Sequence, residues 1–203
     1  MRVIGLTGGI ASGKSLVSQQ LAERGAVVID ADKVGHEAYR RGTETYPAVV
    51  EAFGTEIVGP DGEIDRRALG AKVFADPEAR RRLEEIVWPA MRRMMEARLA
   101  ELRDQGTSVA VLEAALLIEA DWLPLVDEVW LTAAPPETAR QRLIQRNGLA
   151  VEQAEARLRA QLSNEKRRSY ADVVIENDAS LEELHRVVDE AWSKLERAGG
   201  PAR

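Results

Sequence analysis

Eight residues near the start of the chain constrain its fold more than any other stretch. Gly8-Gly9-Ile10-Ala11-Ser12-Gly13-Lys14-Ser15 matches the pattern G-x-x-x-x-G-K-S/T in full. An apolar run over residues 2–7 precedes it and reads as a buried strand. Residues 14–24 follow with helical spacing, Val17, Leu21 and Ala22 sharing one side, and Gly25 ends that helix. Ala26-Val27-Val28-Ile29 then reads as a second buried strand. Strand, glycine loop, helix and strand make a βαβ unit, which implies a parallel sheet. The chemistry explains the residue types. Glycines let the backbone curl so that successive N–H groups face phosphate oxygens, and the helix that follows offers free N–H groups and a positive dipole end. The expected phosphate contacts run through Gly8, Gly9, Ile10, Ala11, Ser12, Gly13, Lys14 and Ser15, with the N–H of Leu16 next along. Lys14 is expected to reach the β- and γ-phosphates, and the Ser15 hydroxyl to ligate magnesium. Binding of a nucleoside triphosphate follows.

The rest of the chain extends the same plan. Strand signals return at residues 108–112, 128–131 and 173–175. Helices are expected over 33–40, 45–53, 66–74, 77–104, 136–146, 151–168 with a break, and 180–197. Pro89 lies inside the longest of these and predicts a kink or break near Trp88. Residues 54–65 read as a loop or hairpin, and the tail at Gly199-Gly200-Pro201 as frayed. The sum is an α/β chain of three layers, with a five-stranded parallel sheet and helices on both faces. One domain of 203 residues is expected: a core of 1–32 and 108–203, a helical insertion over about 33–107, and a helical lid over about 137–170.

Composition narrows the function. Without cysteine there is no disulfide, thiolate metal site or cysteine nucleophile. The net charge of −6 disfavours a nucleic acid partner. No apolar run approaches a membrane span and no secretory leader is read at the start, so a cytoplasmic location is expected, with a monomer as the working state.

In parallel α/β sheets ligands bind beyond the C-terminal ends of the strands. Asp30 and Asp32 end the second strand and Glu113 ends the third. Phosphoryl transfer needs acids for two tasks, holding the metal and taking the proton of the attacking hydroxyl. Asp32 sits further out and is the expected base. Asp30 serves either the metal or the cap of the helix that follows, and Glu113 is either metal-associated or an ordinary polar strand end. Arg142 and Arg146 share a helix face at i, i+4. They either close over the phosphates from a lid or form a solvated face. Lys166, Arg167 and Arg168 are a weaker cluster with the same two readings.

With these residues in view, the chain resembles the dephospho-CoA kinase family over nearly its whole length. Ile4 to Ser15 is similar to that family's loop with its Leu-Thr-Gly-Gly-Ile lead-in, and Val28-Ile29-Asp30-Ala31-Asp32 to its second motif. Asp65 to Leu69 with Val73-Phe74, Arg142 to Arg146, the Gln161 region and Ala171 to Asn177 look like its later motifs. Departures are Trp88-Pro89 where the family usually has His-Pro, Glu113-Ala114-Ala115-Leu116-Leu117 where it usually has Asp-x-Pro-Leu-Leu, and Leu16 where Thr is common. The resemblance implies ATP and dephospho-CoA as substrates and phosphorylation of the ribose 3′-hydroxyl. It implies Asp32 as base, Lys14 and the lid arginines Arg142 and Arg146 as catalytic cations, and Asn177 on the adenine side. The magnesium ligands are then sought among Ser15, Asp30 and Glu113, and the acceptor is held by the helical insertion. Two rivals stand beside this. One is another P-loop kinase acting on a nucleoside, nucleotide or sugar acid. The other is a non-catalytic nucleotide-binding switch, which lacks a base-reading motif here, since Asn164-Glu165-Lys166-Arg167 is not Asn-Lys-x-Asp.

Overall fold

The computed structural model describes residues 1–198. Five strands form one parallel sheet: β1 (Arg2–Gly8), β2 (Val27–Asp30), β3 (Val109–Glu113), β4 (Glu128–Ala133) and β5 (Val173–Glu176). Their order is β2-β3-β1-β4-β5. β1 is central, and every residue from Val3 to Gly8 is buried, which is why it reads as a continuous apolar run. Its register pairs Leu6 with Glu113 of β3 and Gly8 with Thr132 of β4, while Ala133 of β4 pairs with Glu176 of β5. These parallel registers bring Gly8, Glu113, Thr132 and Glu176 to one edge of the sheet.

The helices are α1 (Lys14–Glu23), α2 (Ala31–Ala38), α3 (Thr45–Phe53), α4 (Arg66–Ala75), α5 (Pro77–Asp104), α6 (Pro136–Asn147), α7 (Val151–Arg159), α8 (Asn164–Arg168) and α9 (Leu181–Ala198). α1 and α9 cover the sheet through one core of Ile4, Leu6, Val17, Leu21, Val111, Trp130, Ile175, Leu184, Val188 and Trp192. The buried Trp130 indole donates to Glu128 Oε2 at 3.0 Å, so its polar edge is satisfied. Gly148 ends α6 in the left-handed conformation at φ 62°, as the Asn-Gly pair predicts.

Two expectations resolve in opposite ways. The expected break in 151–168 occurs, and Ser163 restarts the chain as the N-cap of α8 by accepting from the Lys166 N–H at 3.1 Å. Of the kink or break expected near Trp88 at Pro89, the break does not occur, and α5 runs as one helix of 28 residues. Proline removes one helical donor there, whereas Val87, Ala90, Met91, Met95 and Leu99 bury a long stripe of the same helix. The 54–65 stretch forms a single 3-10 turn at Thr55–Ile57 and one antiparallel bridge between Val58 and Ile64.

The chain divides into two compact units. One comprises Met1–Ile29 with Leu102–Arg203, and the other Asp30–Glu101. The first holds the phosphate loop, β3 to β5 and α6 to α9. The second holds α2 to α4 and most of α5. No helix among the described residues is long and apolar enough to cross a membrane.

Candidate active site

The loop after β1 is built for anions. Ala11 at φ 59° and Gly13 at φ 94° are both left-handed, which turns the backbone back on itself. α1 opens directly from Gly13 with no side-chain cap, so its first N–H groups are left to another acceptor. Gly8 has no room for a side chain, since a Cβ there would lie 2.6 Å from the Thr132 carbonyl oxygen. Ser12 is buried inside the turn, and its N–H donates to the Gly9 carbonyl at 3.1 Å.

Lys14 and Ser15 meet Glu113 at the end of β3. Lys14 Nζ donates to Glu113 Oε1 at 2.6 Å, and the Ser15 hydroxyl to the same oxygen at 3.4 Å. Both partners of the ion pair are largely buried, at 15% and 11% side-chain exposure. The lysine is thus held over the loop rather than extended into solvent. Two of its three donors stay available for phosphate oxygens.

Side chains distant in sequence brace the loop. Asn177, just past β5, is 6% exposed. Its Nδ2 donates to the Ser12 carbonyl at 2.8 Å, and its Oδ1 accepts from Arg142 at 3.3 Å. Arg142 is thereby tied to the loop through one amide. Arg146, a turn later on α6, is exposed and donates to the neighbouring Asn147 side chain at 3.0 Å. The Ile10 N–H donates to Gln161 Oε1 at 2.8 Å, and Asn164 Nδ2 to the Ala134 carbonyl at 2.8 Å.

The Lys166, Arg167 and Arg168 cluster separates into three environments. Lys166 lies 5.4 Å from the Tyr170 ring centre, and Arg168 pairs with Glu176 at 2.7 Å. Arg167 is 1% exposed, donates to the Leu162 carbonyl, and pairs with Glu119 at 3.1 Å. Burial pulls its guanidinium below the ordinary arginine value, and the Glu119 charge opposes that shift. Glu119 and Asn164 were not among the expected site residues. Neither lies in a motif, and their role depends on contacts that composition and spacing do not reveal.

Asp30 and Asp32 belong to the other compact unit. Asp30 is the N-cap of α2, its Oδ1 accepting from the N–H groups of Asp32 at 3.0 Å and Lys33 at 3.2 Å. Its second oxygen lies 3.6 Å from Lys33 Nζ. Asp32 stands in the first turn of α2 with its side chain exposed.

One stability prediction arises from the brace. A Cβ on Gly13 would overlap the Asn177 side-chain amide at a backbone angle that L-residues rarely adopt. Gly13→Ala should therefore cost about 2–3 kcal/mol. Thermal unfolding should register this as a fall in Tm of roughly 4–12 °C. An unchanged Tm would mean that Asn177 does not hold the turn.

A central β1 running into a glycine loop and α1, with a lysine and an acid at the sheet edge, defines a P-loop kinase. The family model described as dephospho-CoA kinase matches residues 2–183. A dephospho-CoA kinase from Geobacter sulfurreducens is 52% identical over 194 residues, covering 96% of this chain and 98% of that protein. A crystal structure of TT1252 from Thermus thermophilus superposes with a TM-score of 0.79 at 37% identity, covering 96% of this chain and 97% of that one. A dephospho-CoA kinase from Campylobacter jejuni gives 0.74 at 26% identity, with coverage of 98% and 99%. The chain belongs to the dephospho-CoA kinase family. It is an enzyme that transfers phosphate from ATP.

Proposed function

We propose that the chain transfers the γ-phosphate of ATP to the ribose 3′-hydroxyl of dephospho-CoA, releasing ADP and CoA. The match over residues 2–183 is the observation that carries the choice of acceptor. In this reading the acceptor oxygen forms a bond to the γ-phosphorus as the bond to the bridging oxygen of ADP breaks. Asp32 takes the hydroxyl proton. Within the loop from Gly8 to Leu16, the uncapped N–H groups that open α1 hold the phosphates, those of Ile10, Ser12 and Leu16 being engaged by Gln161, Gly9 and Gly13, and Lys14, steadied by Glu113, offsets charge on the oxygens of the group in transfer. Arg142 and Arg146 add guanidinium charge from α6, the start of the proposed lid over about 137–170. Asn177 works as the brace of the loop and the anchor of Arg142.

The donor set fits magnesium. Ser15 Oγ and Glu113 Oε1 lie 3.4 Å apart, and magnesium takes one or two protein ligands with phosphate oxygens and waters. Among the described residues there is no cluster of three or more acids or histidines that would favour a dedicated protein cage. Ser15 and Glu113 would hold the ion. Asp30, expected as either ligand or cap, is assigned here to capping α2. When bound, the ion would supply positive charge that offsets the negative charge of the phosphates. A cytoplasmic monomer is the form proposed.

Acceptor profiling tests this reading. With ATP, magnesium and a coupled assay for ADP, dephospho-CoA should outpace gluconate, shikimate and free nucleosides by at least about 100-fold in kcat/KM. Robust turnover with gluconate or a nucleoside, and none with dephospho-CoA, would overturn the assignment.

A further inference from the structure

The phosphate loop holds a residue other than glycine, Ala11, in the left-handed conformation at φ 59°. Such a backbone costs free energy and persists only where its surroundings fix it. Two side chains flank it. On one side the Ile10 N–H donates to Gln161 Oε1 at 2.8 Å, and on the other the Ser12 carbonyl accepts from Asn177 Nδ2 at 2.8 Å. Asn177 is itself held, being buried just past β5 and tied to Arg142. Gln161 needs an anchor of its own, because it sits in the short connection between α7 and α8.

Arg167 supplies that anchor. It lies in α8, one turn past the Ser163 cap, and its Nη1 reaches back to donate to the Leu162 carbonyl. The stretch of backbone that carries Gln161 is thereby fixed. Its Nη2 donates to Glu119 Oε1 at 3.1 Å, in the turn that follows β3. Three side chains converge on the loop here. A Cβ built on Gly9 would lie 3.6 Å from Gln161 Oε1, 3.7 Å from Arg167 Nη1 and 3.8 Å from Asn164 Oδ1. All of these residues belong to one compact unit. β3 thus serves the loop twice: Glu113 at its end holds Lys14, and Glu119 beyond it holds Arg167.

The pair is a poor stabiliser. The Arg167 side chain is 1% exposed and that of Glu119 23%. Arg167 Nε and Glu119 Oε2 are buried without a hydrogen-bond partner among the described residues. A buried ion pair with unmet donors and acceptors adds little net stability, and apolar side chains of similar volume often serve as well. What a guanidinium adds is direction, since its rigid fork rests one arm on Leu162 and the other on Glu119.

We infer that Arg167, paired with Glu119, is a positioning residue for ATP: it sets the connection between α7 and α8 so that Gln161 holds the Ile10 N–H and keeps the loop in the shape that receives the triphosphate. This role requires only that ATP is the donor, whichever alcohol accepts.

Calorimetric titration with ATP and magnesium, in the absence of acceptor, tests it on Arg167→Met, Gln161→Ala and the double variant. Each single change should raise Kd for ATP about fivefold to thirtyfold. The double variant should match the weaker-binding single variant within about twofold, because both changes break one relay. In steady-state assays KM for dephospho-CoA should stay within about twofold of the parent. Glu119→Gln is nearly isosteric and carries the test if Arg167→Met does not fold; it should raise Kd for ATP at least about threefold. A Tm that falls while Kd for ATP keeps its parental value would make the pair structural only and overturn the inference. So would Kd effects that multiply in the double variant, or a KM for dephospho-CoA that rises in step with the Kd for ATP. A parent enzyme that binds ATP but is inactive with dephospho-CoA would sink the proposed acceptor and leave the titration result standing.

Discussion

Lys14→Ala is expected to reduce turnover at least about a thousandfold, to the background of the assay. Lys14 is the cation at the loop whose Nζ lies 2.6 Å from Glu113, and that contact fixes where its charge sits. Charge moves onto phosphate oxygens during transfer, so the loss should fall mainly on kcat. A neutral alanine also leaves the Glu113 carboxylate without its partner at 11% side-chain exposure. Some loss of stability should accompany the loss of rate, of order 1 kcal/mol for a pair that is not fully buried. Far-UV circular dichroism and thermal unfolding separate the two effects. A folded Lys14→Ala protein with more than about a tenth of parental kcat would remove the lysine from the reaction.

Asp32→Asn is the second large effect. It should lower kcat by about 10²–10⁴ with KM for ATP nearly unchanged, because the amide cannot accept the hydroxyl proton. The change is nearly isosteric and the side chain is exposed. The α2 cap is retained, since Asp30 Oδ1 accepts from the backbone N–H of residue 32 rather than from its side chain. Only the favourable interaction of a carboxylate with the first turn of α2 is lost, about 0.3–1 kcal/mol. A variant as active as the parent would end the assignment of Asp32 as base.

Local chemistry made much of this molecule legible before any coordinates. β1 and the glycine loop were readable because a strand buried on both faces is continuously apolar and a phosphate turn demands glycine at fixed offsets. The helices α2 to α5 and the end of α6 at Gly148 were readable because period, caps and terminators lie within a few residues of each other. Pro89 shows the limit of local rules. A proline inside a helix predicts a kink or a break, and the buried stripe from Val87 to Leu99 keeps α5 from breaking. The site divides in the same way. Lys14 and Ser15 could be nominated from the glycine-loop motif and Glu113 from its strand end, but the 2.6 Å pairing of Lys14 with Glu113 depends on β3 lying next to β1.

The braces were less visible still. Asn177 and Gln161 reach the loop across 165 and 151 residues of sequence, and no periodicity encodes such a contact. Among Lys166, Arg167 and Arg168 the spacing gave no reason to single out the middle one. Burial against Glu119 sets Arg167 apart, and that is a tertiary fact.

The most direct measurement is phosphorus NMR of the product formed from ATP, magnesium and dephospho-CoA. One new phosphomonoester resonance, coupled to the ribose H3′ proton and growing as ADP appears, is the expected result. Phosphate attached at another position, or ADP accompanied only by inorganic phosphate, would contradict transfer from the Gly8–Ser15 loop to the 3′-hydroxyl.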